Sequence, residues 1–184
     1  MNSQIIKKLT LTGVLIAIGL IIPMFSPVKI ILEPASFTLA SHVAIFIAMF
    51  ISPAMAVAVA LGTAIGFFIG GFPVIIVLRA STHIIFALIG SMFIHKLSEK
   101  KLPELHLRIF SFLIAITHAL GELSIVSIFY FGGNINTTYT EQGFLTSVLL
   151  LVGLGTVIHS MVDFEIARLI LIPLKKSNKI PVSI

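Results

Sequence analysis

The chain has 184 residues, 58% of them hydrophobic, 10% charged and none of them cysteine, with a mean hydropathy of +1.15. These values exclude an ordinary soluble domain, disulfides, thiol nucleophiles and zinc–thiolate sites, and they place the sequence in the integral membrane class. The formal net charge of +5 does not point to nucleic acid, because the basic residues sit at the ends of apolar runs, where they report membrane topology.

At roughly 20 apolar residues per span, there is room for about six helices and for no separate soluble domain. The expected fold is therefore all-α, a single membrane domain over residues 1–184 with helices near 9–24, 36–51, 54–69, 74–95, 109–131 and 143–174. Lys7 and Lys8 precede the first apolar run, which lacks an A-x-A cleavage site and reads as a retained helix. Gly13 and Ala17 stand four apart on it, a small-residue face that lets another helix approach closely. The stretch Phe25–Ala40 is interrupted by Pro27, Lys29, Glu33 and Pro34 but keeps Val28 and Ile30–Leu32, so it reads as a long loop folded back on the bundle, either a lid or a structural connector.

The second helix carries His42 near its outer end, and Pro53 is placed to start the third, which is rich in alanine and glycine. After the Gly70–Pro73 turn, the fourth helix carries Arg79 and His83. Lys96–Arg108 is the most polar segment and reads as a cytoplasmic loop. The fifth helix holds His118 and Glu122, and the Gly132–Gln142 loop after it has no lysine or arginine. The last helix carries His159, Asp163, Glu165 and Arg168 in its second half. With the N-terminus inside, six spans put Lys7, Lys8, Lys96, Lys100, Lys101, Arg108, Lys175, Lys176 and Lys179 in the cytoplasm and only Lys29 outside. Both termini are expected to be cytoplasmic. The 25–40 loop, the Gly70–Pro73 turn and the 132–142 loop then share the outer face.

Three helices carry polar pairs four residues apart: Arg79 with His83, His118 with Glu122, His159 with Asp163. Each pair shares a helix face, and lipid contact is costly enough to turn all three inward. At 1.5 Å per residue, Arg79 lies about 9 Å and His83 about 15 Å below Pro73, with Glu122 about 14 Å below Phe131. His159 and Asp163 lie about 24 and 30 Å from Gly143 by the same rise, which predicts that the first two pairs share a pocket and the third, with Arg168, forms a structural pairing at the cytoplasmic end. Arg79 suits a small carboxylate reached from outside, or an ion pair with Glu122, and Glu122 in turn is either that counter-ion or a group that binds the substrate. His83 and His118 suit either a ligand's polar atoms or bonds between helices. The competing reading is a metal carrier or metal-dependent enzyme in the membrane, using His83, His118 and Glu122. There is no G-x-x-x-x-G-K-[ST] phosphate loop and no inverted repeat, so neither ATP hydrolysis nor self-sufficient alternating access is expected.

The stretches EPASFTLASHVAIFIAMFISP (Glu33–Pro53) and GFPVIIVLRASTHIIFALIG (Gly71–Gly90) resemble the substrate-binding S components of energy-coupling factor vitamin transporters, most of all their niacin-specific branch. The resemblance implies a binding subunit, not an enzyme, with no cofactor. It also implies a ligand held under the first loop, and docking through helix one to a transmembrane subunit driven by two ATP-binding subunits. The family's docking motif is A-x-x-x-A, here Gly13-Val-Leu-Ile-Ala17, which departs at its first position. Niacin's carboxylate would meet Arg79, its ring nitrogen His83 or His118, and its flat face Phe37, Phe72 or Tyr130. Pantothenate, also a carboxylate, would suit Arg79 as well.

Overall fold

The computed structural model describes residues 3–32, 35–97, 103–133, 135 and 140–176. Glu33, Lys100, Lys101, Lys179 and residues 134 and 136–139 of the 132–142 loop lie outside the described residues. In chain order the elements are α1 (Ser3–Phe25), a hairpin of β1 (Lys29–Leu32) and β2 (Ala35–Thr38), α2 (Val43–Met49), α3 (Pro53–Ile69), α4 (Val74–Leu97) and α5 (Glu104–Phe131). A last long helix, α6, follows. Its first part, Leu145–Leu154, is π-helical and runs directly into the α-helical Gly155–Lys176.

Among the described residues, four helices are long and apolar enough to cross a membrane: Ile5–Phe25, Val74–Leu97, Glu104–Phe131 and Leu145–Lys175. The shorter Pro53–Ile69 is as apolar. Their large side chains outside the core, such as Ile21, Ile85, Leu120 and Ile158, are exposed, as lipid-facing residues are. Ser52 caps α3 by accepting a hydrogen bond from the Met55 amide at 3.2 Å, and Pro53 takes the first helical position, where a missing N–H costs nothing. α5 begins at Glu104, five residues before the expected start, and its acidic side chain stands in the first turn, favourable at the positive end of the helix dipole.

The largest departure from expectation is between Phe25 and Ile51. The lid is an antiparallel hairpin with Lys29 opposite Thr38 and Leu32 opposite Ala35. It draws in residues assigned to helix two, so α2 keeps seven residues, about 10 Å of helix. All seven are buried, and α2 forms the post around which α1, α3, α4 and α6 pack, with Phe46 and Phe50 against Phe86 and Phe164. Ahead of it, Ala40 has a φ of 68°, a left-handed conformation that L side chains resist.

α1 meets α3 through glycines. A Cβ on Gly19 would stand 2.7 Å from Thr63 Oγ1, one on Gly62 2.6 Å from Ile16 Cδ1, and one on Gly66 2.2 Å from Leu20 Cδ2. Gly13 and Ala17 are on the other, exposed side of α1, and a Cβ on Gly13 would meet nothing within 4 Å. Gly66→Val is expected to destabilise the protein by about 1–3 kcal/mol through overpacking, and Gly13→Val to leave stability unchanged. Denaturant unfolding of the two purified variants checks this. Equal midpoints would contradict the assigned packing face.

Candidate functional site

Arg79 and His83 stand one turn apart on α4, and His118 and Glu122 one turn apart on α5. The two pairs meet as their common depth predicts. Arg79 Nη2 donates to Glu122 Oε2 at 2.9 Å, and both side chains are about 5% exposed. His83 Nε2 and His118 Nε2 lie 3.4 and 3.5 Å from the other carboxylate oxygen, Oε1. The ion-pair alternative for Arg79 is thus realised. Oε2 takes a second bond, from the Thr156 hydroxyl at 2.6 Å.

His159 and Asp163 do not stand apart from this cluster, contrary to the depth count. The π-helical turns of Leu145–Leu154 hold more residues per turn and rise less per residue, and the 31-residue span exceeds one bilayer thickness. Asp163 therefore reaches the turn before α2. Its Oδ1 accepts the Ala40 amide at 2.7 Å, and its Oδ2 accepts the His42 amide at 2.9 Å and lies 3.1 Å from His42 Nδ1. Ser41 Oγ stands between His42 Nδ1 and His159 Nε2, 3.1 Å from each. Only Arg168 sits at the far end as expected, where its guanidinium forks onto Glu104 at 2.7 and 2.9 Å and also binds Glu165 at 3.0 Å.

His42 is the centre that sequence reasoning missed. Its ring centroid lies 4.7 Å from that of His83, 4.6 Å from His118 and 5.1 Å from His159. The signal available was the general one, that an ionisable residue inside a membrane run is a site candidate.

Between the cluster and the hairpin lies a cavity of about 430 Å³. Arg79, His83, Glu122 and His42 line one side, Lys29, Ser36 and Thr38 the hairpin side, and Phe67 and Phe72 a flank. The two phenyl rings stack at 4.5 Å. Lys29, also missed as a site residue, donates from Nζ to the Pro23 carbonyl at 3.2 Å. Pro73 and Ile135 also reach the cavity, so the hairpin, the α3–α4 turn and the α5–α6 connection gather at one end of the bundle.

Three expected site residues do not line the cavity. Side chains alternate along a strand, so with Ser36 and Thr38 facing it, Phe37 turns away and seats over Gly155, where a Cβ would stand 2.5 Å from its Cζ. Tyr130 packs against Phe144 at 5.3 Å, its hydroxyl 3.3 Å from the Thr140 carbonyl. His118 stands behind Glu122 with its ring 4.5 Å from Phe86.

Apolar helices around a buried polar cluster, with a ligand-sized cavity beside it, mark a multi-pass membrane protein with a binding site. The niacin transporter NiaX of Lactococcus lactis subsp. cremoris (strain MG1363) is 43% identical to the chain over 163 residues, 88% of this chain and 72% of NiaX. No family model and no solved structure matches the chain. At that identity and coverage the chain belongs to the niacin-type S components of energy-coupling factor transporters, and it is a multi-pass protein of the cell membrane.

Proposed function

We propose that this protein captures nicotinate in the cavity beneath the hairpin and delivers it for uptake driven by a separate ATPase module. The observation that carries the reading is a cavity of about 430 Å³, within the range of small-molecule sites, that sets two cations, Arg79 and Lys29, beside two imidazoles, His42 and His83. A flat ring bearing one carboxylate and one basic nitrogen matches that set. Its carboxylate meets Arg79 or Lys29, its nitrogen meets an imidazole N–H, and its face lies on Phe72. The similarity to a protein named as a niacin transporter supports the same ligand.

The ligand enters from outside the cell. Lys7, Lys8, Lys96, Arg108 and Lys175 all lie at helix ends remote from the cavity, and the positive-inside rule puts that end in the cytoplasm with both termini. The exposed Gly13 and Ala17 face of α1 is left for the transmembrane subunit of the coupling module, with its two ATP-binding subunits beyond. The chain acts as a binding subunit rather than an enzyme.

Equilibrium binding of labelled nicotinate to the purified protein tests the reading. Saturable binding displaced by unlabelled nicotinate and not by pantothenate is expected. Displacement by pantothenate, or pantothenate binding alone, overturns the niacin assignment. If neither ligand binds, the vitamin-capture reading itself is wrong.

A further inference from the structure

His42, His83, His118 and Glu122 each offer one ligand atom, and these four atoms lie within 4.8 Å of one another. From this arrangement we infer that the cluster binds one divalent transition-metal cation of the zinc type, set in the wall of the cavity. Three imidazoles and one carboxylate are a donor set that such cations take, four-coordinate or with a further position opened to a ligand.

The two spacings from Glu122 to His83 and His118 suit a shared cation better than hydrogen bonds. With metal–nitrogen distances of about 2.0–2.1 Å, two ligand atoms on one tetrahedral ion stand about 3.3 Å apart. Glu122 Oε1 lies 3.4 Å from His83 Nε2 and 3.5 Å from His118 Nε2, long for hydrogen bonds to a carboxylate. Neither ring nitrogen of His118 has a hydrogen-bond partner among the described residues, although the side chain is wholly buried. The rings of His42, His83 and His118 form a near-equilateral triangle of 4.6–4.7 Å with interplanar angles of 71–86°, so they converge edge to face instead of stacking.

The groups behind the ligands are set as a metal site requires. Asp163 Oδ2 lies 3.1 Å from His42 Nδ1; by accepting that proton it leaves the His42 Nε2 lone pair for the cluster, the carboxylate–histidine arrangement that orients metal ligands. Arg79 and Thr156 both hold Glu122 Oε2 and leave Oε1 to the imidazoles. Within the cluster itself, two buried carboxylates, Glu122 and Asp163, meet one guanidinium, while Lys29 stands on the hairpin side of the cavity and donates to the Pro23 carbonyl, so a cation among the imidazoles sits beside local negative charge. The metal site does not rest on the vitamin-capture reading.

The test uses the full chain, purified in detergent, stripped with a chelator and titrated with Co²⁺. One bound Co²⁺ per chain is expected, with the visible absorption of a four- or five-coordinate nitrogen–oxygen site, displaced by Zn²⁺. His118→Gln should lose it, Asp163→Asn should weaken it by about tenfold to a hundredfold, and His159→Gln, outside the ligand set, should retain it. Folded wild-type protein that takes up no stoichiometric Co²⁺ or Zn²⁺ overturns the inference, as does a His118→Gln variant that binds like wild type. Adding nicotinate to the Co²⁺ form should shift the spectrum. An unshifted spectrum with nicotinate bound separates the cation from the vitamin, whereas intact Co²⁺ binding with no nicotinate binding overturns the vitamin reading alone.

Discussion

Arg79→Ala is expected to weaken nicotinate binding by about tenfold to a hundredfold and to destabilise the protein by about 3–5 kcal/mol. The two effects have different causes. Stability falls because Glu122, about 5% exposed, loses the guanidinium 2.9 Å away and is left as a buried charge, and removing one partner of a buried pair costs far more than the pair is worth against apolar replacements. Binding falls because a charge-assisted bond to a carboxylate is worth about 1.5–3 kcal/mol, one to two orders of magnitude in affinity. A second variant separates them. Arg79→Met combined with Glu122→Gln removes both charges, so it should recover most of the stability and none of the binding. Arg79→Lys keeps the charge but not the planar fork and should fall between wild type and alanine. Isothermal titration with nicotinate and denaturant unfolding of each variant provide the comparison. Alanine binding as tightly as wild type would remove Arg79 from the site.

The meeting of Arg79 and His83 with Glu122 was legible in the sequence because each depth could be counted from a nearby turn. α4 and α5 are regular from those turns inward, so a rise of 1.5 Å per residue placed His83 and Glu122 level. The same arithmetic failed for His159 and Asp163. Leu145–Leu154 reads LTSVLLLVGL, nearly uniformly apolar, and a run without periodicity carries no sign of whether each residue rises as in an α-helix or less.

His42 was lost for a related reason. Its depth depends on where the hairpin ends, and Pro27 and Pro34 made the 25–40 stretch look like irregular loop although Lys29–Leu32 and Ala35–Thr38 pair in register. Register also decides the aromatic contacts. With residues 36–38 assigned to a helix, side chains three and four apart share a face, and the alternation of Ser36, Phe37 and Thr38 is hidden. Once they form a strand, alternation gives Ser36 and Thr38 to the cavity and Phe37 to Gly155.

Asp163→Ala is expected to be the most damaging change outside the Arg79–Glu122 pair, with a stability loss of about 3–5 kcal/mol and at least about a tenfold loss of nicotinate affinity. Asp163 is fully buried, and one carboxylate accepts the Ala40 and His42 amides and holds the His42 ring. Those amides belong to a turn that Ala40 enters at a φ of 68°, a conformation that persists only where its surroundings impose it. Without the carboxylate, two buried N–H groups lose their acceptor, Ala40 is released toward ordinary backbone angles, and His42 leaves the position where it touches His83 and His118. Asp163→Asn keeps one acceptor oxygen for Ala40 and turns an amide donor toward the His42 N–H, so its stability should lie between alanine and wild type. Unfolding and nicotinate binding measured side by side decide the matter. An alanine variant that matches wild type in both would mean that α6 does not hold the turn. If both fall together, the tie from α6 to the His42 turn holds the end of the hairpin and the His42 wall of the cavity in place.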